Sequence, residues 1–467
     1  MRAMRSSLVI AVGAGLAAAA GAQPAQPAPR AAPAPAPVAP LAERAAPDAS
    51  ADAIAKLLAR TDAVAREVSR IRGLPLRRPI PNEVVDRDEL RRRLLQNAAE
   101  EKTKVDTAAQ GLALARWGMI PLATDYESLL IEVLTEQIAG YYDPDTKRLT
   151  ISRSAGDDAQ GAELVLAHEI EHGLQDQAFD LKKLEDVPDG EGDARAARRA
   201  LVEGDGVALM LEVMLARSGA KVPWGTPRIT AAIEKEMVSP GGDDLDKAPL
   251  ALREAMIFPY RAGLMFVAAL RRRHPWSAVD AAFRRPPRST EQILHPERYH
   301  ADDPPVPVQI DPLAALRGFS RAHQTVWGEL GFQLFLRSHG LDEATAEQAA
   351  AGWGGDRAVV LARASERRPE RAAGVSRSEW DSEVDAIEAE EAVVKALDGS
   401  IPGAVVEQGG HRTRWLGVDG TVSWVERRGP SLVIVVGAPA WAAGALAAEV
   451  WTASRVGAAA AKPQANK

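Results

Sequence analysis

The sequence predicts an α+β protein with two folded domains, the first mostly helical and the second a smaller mixture of helices and strands. Three observations carry this prediction. Apolar residues recur with helical spacing through much of residues 51–300. A strand–turn–strand pattern interrupts them near residue 145. Four short strand-like runs then follow one another between residues 404 and 436, which is typical of a sheet.

The chain begins with features of an export signal. Basic Met1–Arg5 precedes an apolar run from Leu8, and small residues end at Ala22. We therefore expect residues 1–22 to be a signal peptide and the Pro- and Ala-rich residues 23–47 to be a semi-rigid linker. The expected location is periplasmic or extracellular, with no stable membrane span after signal cleavage.

The composition limits which partners, nucleophiles and metal ligands this protein can have. The 57 basic and 64 acidic residues give a net charge of −7 without a large basic block, so we expect no nucleic-acid partner. Cysteine is absent, which excludes disulfides, thiol nucleophiles and thiolate metal ligands. Histidine, aspartate and glutamate remain as the strong metal ligands.

The first domain, residues 48–306, is predicted to start with helices at 51–71 and 86–117. These helices either shield the site as a propeptide would or form part of the scaffold. Residues 124–138 predict another helix, and 139–142 and 147–151 a small edge-strand hairpin. The exposed edge of this hairpin either pairs with an extended peptide or only covers the next helix.

That next helix, predicted at residues 161–177, carries the strongest motif. His168, Glu169 and His172 have HExxH spacing, so both imidazoles face one side of the helix and can share a metal ion. The unligated Glu169 can then act as general base toward a water molecule activated by Zn²⁺. The alternative is an amphipathic helix whose histidines bind no metal.

A catalytic zinc site needs a third protein ligand. A long helix predicted at residues 194–217 offers Glu203, followed by Gly204, which permits close helix packing, and Asp205, which can orient a ligand. Glu203 is the predicted ligand, and an exposed helix carboxylate is the alternative. Other nearby carboxylates are Glu191, Asp193 and Glu212.

His168-Glu-Ile-Glu-His172 followed by Leu201-Val-Glu-Gly-Asp205 resembles the gluzincin branch of the zincin metallopeptidases. The resemblance covers about residues 125–300. It implies a zincin-like catalytic domain, Zn²⁺ as cofactor and a peptide or protein substrate. By position it implies His168, His172 and Glu203 as metal ligands and Glu169 as general base. The thermolysin pattern around the third ligand is not reproduced.

Two further residues are candidates for the chemistry. Tyr260 follows Pro259, where we expect a helix to begin, and is similar to a tyrosine of peptidase MA-like proteins. It either donates a hydrogen bond to the reaction's oxyanion or anchors the helix by packing. His295 ends a polar segment at residues 286–296 and either donates a second proton or closes a loop.

The second domain, residues 307–456, is predicted to contain a helical part at 313–351, a strand-like run to 363, a helix at 378–397, the four strands and a helix from 440. Four tryptophans form either an aromatic recognition face or the core. Residues 457–467 are expected to be a disordered tail. The tryptophans are Trp353, Trp380, Trp415 and Trp424.

These features predict a secreted or periplasmic zinc metallopeptidase. The competing hypothesis is a binding or envelope-assembly protein that uses a zincin fold with little or no turnover. An intact HExxH motif favours the enzyme, because a fold kept only for binding has no need for a base beside the metal.

Overall fold

A computed structural model describes residues 7–10, 59–99, 101–152, 159–226, 243–272, 274–401, 403–409 and 411–457. The predicted linker, the tail beyond residue 457 and all but residues 7–10 of the predicted signal peptide lie outside the described residues. The described chain is an α+β protein, as the sequence predicts.

A four-stranded sheet lies in the N-terminal part, with strand order β1-β3-β4-β2. The predicted hairpin is present as the antiparallel pair β3–β4, and β2 runs parallel to β4. The other side of β3 pairs with β1, so both hairpin strands have a neighbour in the full chain. The residues of β1 belong to the predicted signal peptide, and its removal would leave β3 at the edge of the sheet. The strands are β1 (Ser7–Ile10), β2 (Asn82–Val85), β3 (Ile138–Asp143) and β4 (Arg148–Ser152).

Helices pack around this sheet, and the longest of them carry the candidate site. Helix α5 lies against β3 and β4 on one side and α7 on the other. The helices are α1 (Thr61–Arg72), α2 (Arg87–Ala99), α3 (Glu101–Arg116), α4 (Tyr126–Gln137), α5 (Ala159–Phe179), α6 (Leu181–Leu184), α7 (Gly192–Arg217), α8 (Asp243–Lys247), α9 (Leu250–Arg271), α10 (Ser277–Arg284), α11 (Thr290–Leu294) and α12 (Pro296–His300).

Two glycines bring α7 and α9 close together. A Cβ atom on Gly204 would lie 2.1 Å from the backbone carbon of Gly263, and one on Gly263 would lie 2.0 Å from the carbonyl oxygen of Ala200. Only glycine fits at such an approach. The prediction that Gly204 permits close helix packing is therefore confirmed.

Helix boundaries differ from the prediction at one place. The helix predicted at 86–117 corresponds to α2 and α3, and residue 100 between them lies outside the described residues. Helix α9 does not begin after Pro259 but runs through it, starting at Leu250. An internal proline costs a helix hydrogen bond, and the burial of Phe258, Pro259 and Tyr260 in this stretch offsets that cost.

The C-terminal part is built on a seven-stranded antiparallel sheet of order β6-β7-β8-β12-β11-β10-β9. A separate pair joins β5 to β13. The elements are β5 (Val308–Ile310), β6 (Ser320–Thr325), α13 (Gly328–Ser338), α14 (Glu343–Ala350), β7 (Trp353–Ala362), β8 (Ala373–Trp380), α15 (Glu383–Ser400), β9 (Gly403–Gly409), β10 (Arg412–Gly417), β11 (Thr421–Arg428), β12 (Ser431–Pro439), α16 (Ala440–Thr452) and β13 (Ser454–Val456).

The four predicted strands and the last helix are confirmed, but β5, β6, β8 and β13 were missed. Strand β6 lies inside the predicted helical part, and β8 takes residues up to Trp380, so the following helix begins at Glu383 rather than 378. Strand β8 was missed because its sequence contains several polar side chains. Ser376 and Ser378 are nevertheless buried, because β8 is a central strand between β7 and β12 and α15 packs against it.

The tryptophans of this part serve the core. Trp353, Trp415 and Trp424 are among the largest fully buried side chains, and Trp380 is buried as well. The aromatic recognition face is therefore wrong, and core packing is confirmed. Among the described residues, no helix combines the length and apolarity needed to cross a membrane.

Candidate metal centre

Helix α5 presents His168, Glu169 and His172 in the interior of the protein, where each side chain is fully buried. The helix is fixed there by its apolar residues, including Leu166, Ile170 and Leu174, which pack against the four-stranded sheet. Apolar burial thus turns the HExxH residues toward the neighbouring α7.

Helix α7 completes a compact group of ligand atoms. The Nε2 atoms of His168 and His172 are 3.0 Å apart. The Oε2 atom of Glu203 lies 3.2 Å from the first and 3.3 Å from the second. Gly206 makes room for this arrangement, because a Cβ atom there would lie 2.6 Å from Cε1 of His168.

These separations fit a zinc ion. Zinc bonds of about 2.0–2.2 Å in tetrahedral geometry place ligand atoms about 3.3–3.5 Å apart, close to the observed triangle. A carboxylate oxygen of Glu169 also lies within 4.8 Å of the histidine ligand atoms. The oxygen of Glu203 is nearer to both histidines, so Glu203 is better placed as the third ligand and Glu169 remains free.

The protonation states of His168, His172 and Glu203 depend on one another. Burial opposes a charge on His172, but the carboxylate of Glu203 outweighs it and raises the pKa of His172 to about 9. Burial likewise opposes the charge of Glu203, yet His172 lowers its pKa to about 2. Burial lowers the pKa of His168. In the metal-free protein the carboxylate of Glu203 thus holds a proton on His172. A divalent cation bound by the carboxylate and the two imidazoles would replace that proton.

Glu169 has the properties of a general base. Burial raises its pKa to about 8; the charge of His172 opposes this rise, and that of Glu203 adds to it. Neither of its oxygens makes a hydrogen bond of normal geometry, although the backbone N–H of Tyr142 lies close enough to favour its charged form. Across from it, Gly140 of β3 leaves space, since a Cβ atom there would lie 3.4 Å from Cγ of Glu169. Near pH 7 this side chain is mostly protonated in the metal-free protein, and a cation bound beside it would favour the charged form that can accept a proton.

Three other carboxylates, two on α7 and one directly before it, have different partners. The Oε1 atom of Glu191 accepts a hydrogen bond from Arg357. Asp193 accepts from the backbone N–H of Thr290, and Glu212 accepts from the indole of Trp224. Glu203 alone among these four lies against the histidines of α5.

Tyr260 lies beside the centre. It is 1 % exposed, and its ring centroid is 6.3 Å from that of His168. Its hydroxyl is hydrogen-bonded to Arg199, whose Nε atom is 3.8 Å from Oε1 of Glu203. Arg199 was not predicted from the sequence, although its position one helical turn before Glu203 places both on one face of α7.

A second unpredicted residue supports His172. The Nδ1 atom of His172 is 2.9 Å from Oε1 of Gln175, whose Nε2 atom donates to Asp205 at 2.9 Å. Asp205 therefore reaches the predicted ligand only through Gln175. The sequence could have indicated Gln175 as a partner of His172, because a residue three positions later lies on the same helix face.

His295 does not join the centre. Its Nε2 atom is 3.0 Å from Oε1 of Glu329, at the junction of α12 with α13. The carboxylate raises the pKa of His295, which suits an ion pair between the two parts of the chain. Of the two readings from the sequence, loop closure agrees with these contacts.

Comparison with known proteins gives one match. A domain family of unknown function, DUF8575, matches residues 316–447. No curated protein and no solved structure matches the chain. The matched residues run from the turn before β6 into α16, so the match covers all seven strands of the larger sheet and none of the residues of the candidate metal centre.

Proposed function

We propose that this protein is an exported zinc-dependent peptidase of gluzincin type that hydrolyses peptide bonds. One observation carries the proposal above all: two imidazole nitrogens and one carboxylate oxygen lie 3.0–3.3 Å apart beside a buried carboxylate that is free to act as a base. Catalytic zinc usually takes three protein ligands and keeps its fourth position for water, whereas structural zinc takes four.

His168, His172 and Glu203 would hold the ion. A zinc ion bound there supplies Lewis acidity and lowers the pKa of a water molecule toward neutrality. Glu169 would accept a proton from the attacking water and pass it to the amine that leaves when the peptide bond breaks. In the metal-free protein burial raises the pKa of this carboxyl to about 8, and the positive charge of a bound ion would lower it and favour the carboxylate that a base requires.

Two neighbouring residues have supporting roles in this proposal. Tyr260, next to His168, donates its hydroxyl hydrogen bond to the oxyanion of the tetrahedral intermediate. Arg199 holds that hydroxyl and has a side chain that is 44 % exposed, whereas the metal ligands and Glu169 are fully buried. Arg199 thus marks the side from which a substrate approaches. Exclusion of water from the other sides strengthens the electrostatic interactions within the centre.

The test compares zinc-loaded wild type, chelator-treated wild type and Glu169→Gln on a casein-like protein and a broad peptide library. We expect cleavage by the zinc-loaded wild type only, with full zinc content in Glu169→Gln. Equal cleavage by this variant and wild type would contradict the mechanism. No cleavage by any form would favour the binding or envelope-assembly hypothesis.

A further inference from the structure

A chain of buried hydrogen bonds leads from the candidate metal ligand His172 to helix α1, more than 90 residues earlier in the sequence. Gln175 accepts from Nδ1 of His172 at 2.9 Å and donates to Oδ2 of Asp205 at 2.9 Å. Arg72 then donates from Nε and Nη2 to the two oxygens of Asp205, at 2.8 and 3.2 Å. All four side chains are fully buried.

The partners of Gln175 fix the direction of its amide. Its nitrogen has two acceptors, the carboxylate of Asp205 and the carbonyl oxygen of Val202 at 3.1 Å. Its oxygen must therefore face His172, and Nδ1 of His172 must carry the hydrogen. The lone pair of His172 is then left on Nε2, the atom that faces His168 and Glu203.

Arg72 is held from several elements at once. Besides Asp205 on α7, its Nη1 atom bonds Asp280 on α10 at 2.8 Å, and its Nε atom lies 3.3 Å from Glu171 on α5. Its guanidinium also stacks on Trp276 at 4.5 Å. A guanidinium with this many fixed partners has one orientation, which it imposes on Asp205.

We propose that Arg72, Asp205 and Gln175 are positioning residues that hold His172 with Nδ1 protonated and Nε2 directed at the metal. Helix α1 is consequently a permanent part of the catalytic domain and not a propeptide removed on activation. This inference rests on the proposed function in naming the metal. Its physical basis is general: ligand histidines are oriented by the group that accepts from their second ring nitrogen.

A pair of glutamines two residues apart provides the first test. Gln175→Leu should lower zinc affinity about 10- to 100-fold, measured by competition with a chelator. The matched control is Gln177→Leu, because Gln177 is also buried but bonds only the backbone of residues 77 and 78. The control should lose stability and keep its zinc affinity. Equal losses in both variants would overturn the proposal.

A spectroscopic readout separates positioning from simple packing. In zinc-loaded wild type labelled with ¹⁵N-histidine, the Nδ1–H proton of His172 should give a slowly exchanging signal, because Gln175 accepts from it. Gln175→Leu should lose this signal to rapid exchange while the signals of other histidines persist. An unchanged His172 signal would contradict the assignment. Failure of wild type to bind zinc at all would instead refute the proposed function.

Arg72 gives the second test. Arg72→Leu should lower zinc affinity at least 10-fold by releasing Asp205, whereas Arg70→Leu, at an exposed position of α1, should change nothing. Mass spectrometry of the active protein from its native host adds a measurement that does not depend on a variant folding. The active form should begin before Arg72. An active form that lacks Arg72 would overturn the proposal.

Discussion

Replacing Glu203 by alanine separates a metal ligand from an ordinary helix carboxylate. In the metal-free protein Glu203 is the main cause of the raised pKa of His172, which moves from 6.5 to about 9 against the effect of burial. Because His172 is fully buried, this difference corresponds to at most about 3 kcal/mol of folding stability. Glu203→Ala should remove most of it.

The pH dependence of this stabilisation follows from the direction in which the pKa of His172 is shifted. A histidine whose pKa is raised by folding stabilises the protein fully below pH 6.5, and the stabilisation disappears as the pH rises through about 9. Denaturant unfolding of the metal-free proteins should therefore show a loss of about 3 kcal/mol in Glu203→Ala at pH 6 and little loss near pH 9.5.

Zinc binding provides the decisive half of the assay. Loss of a ligand should exceed the 10- to 100-fold effect of a residue that only orients a ligand, so we expect Glu203→Ala to bind zinc more than 100-fold more weakly. The control is Glu212→Ala on the same helix, which loses bonds to Trp224 and Arg271 but touches no histidine of the centre. It should lose stability and keep its zinc. Wild-type zinc affinity in Glu203→Ala would refute the reasoning.

Two further predictions concern catalysis and pH. Tyr260→Phe should lower kcat about 10²- to 10³-fold with little change in KM, because the hydroxyl acts only on the developing oxyanion; steady-state kinetics checks this, and an unchanged kcat would reduce Tyr260 to a packing residue. Burial raises the pKa of Glu291 to about 8, so folding favours its protonated form. The stability that this protonated form contributes is fully present below pH 4.5 and is lost as the pH rises to about 8. Glu291→Gln should therefore remove a slope of about 1.4 kcal/mol per pH unit from the unfolding free energy in that range, whereas Glu297→Gln, at an exposed position, should leave the slope as in wild type.

The local parts of the fold and site could be predicted from the sequence. The HExxH spacing placed His168, Glu169 and His172 on one helix, because a helix brings residues i and i+4 together whatever surrounds it. Strands β9 to β12 coincide with short strand-like runs of the sequence that end at turn residues. Such signals depend only on a few neighbouring residues.

What could not be predicted depends on contacts between distant segments. Arg72 lies 133 positions before Asp205. Helical spacing from Val64 and Val68 places it on the buried face of α1 but does not identify its partner. The pairing of β1 with β3 and the burial of β8 between two strands are likewise set by the sheet and not by their own sequences. Propensity and periodicity carry no information on such pairings.

Diffraction at the zinc absorption edge, from crystals of the purified protein, tests the central claim most directly. The anomalous difference map should show one strong peak within about 2.0–2.2 Å of Nε2 of His168, Nε2 of His172 and an oxygen of Glu203, with Glu169 outside the coordination sphere. A zinc-soaked crystal with no peak between these residues, or with the metal held by other side chains, would contradict the account.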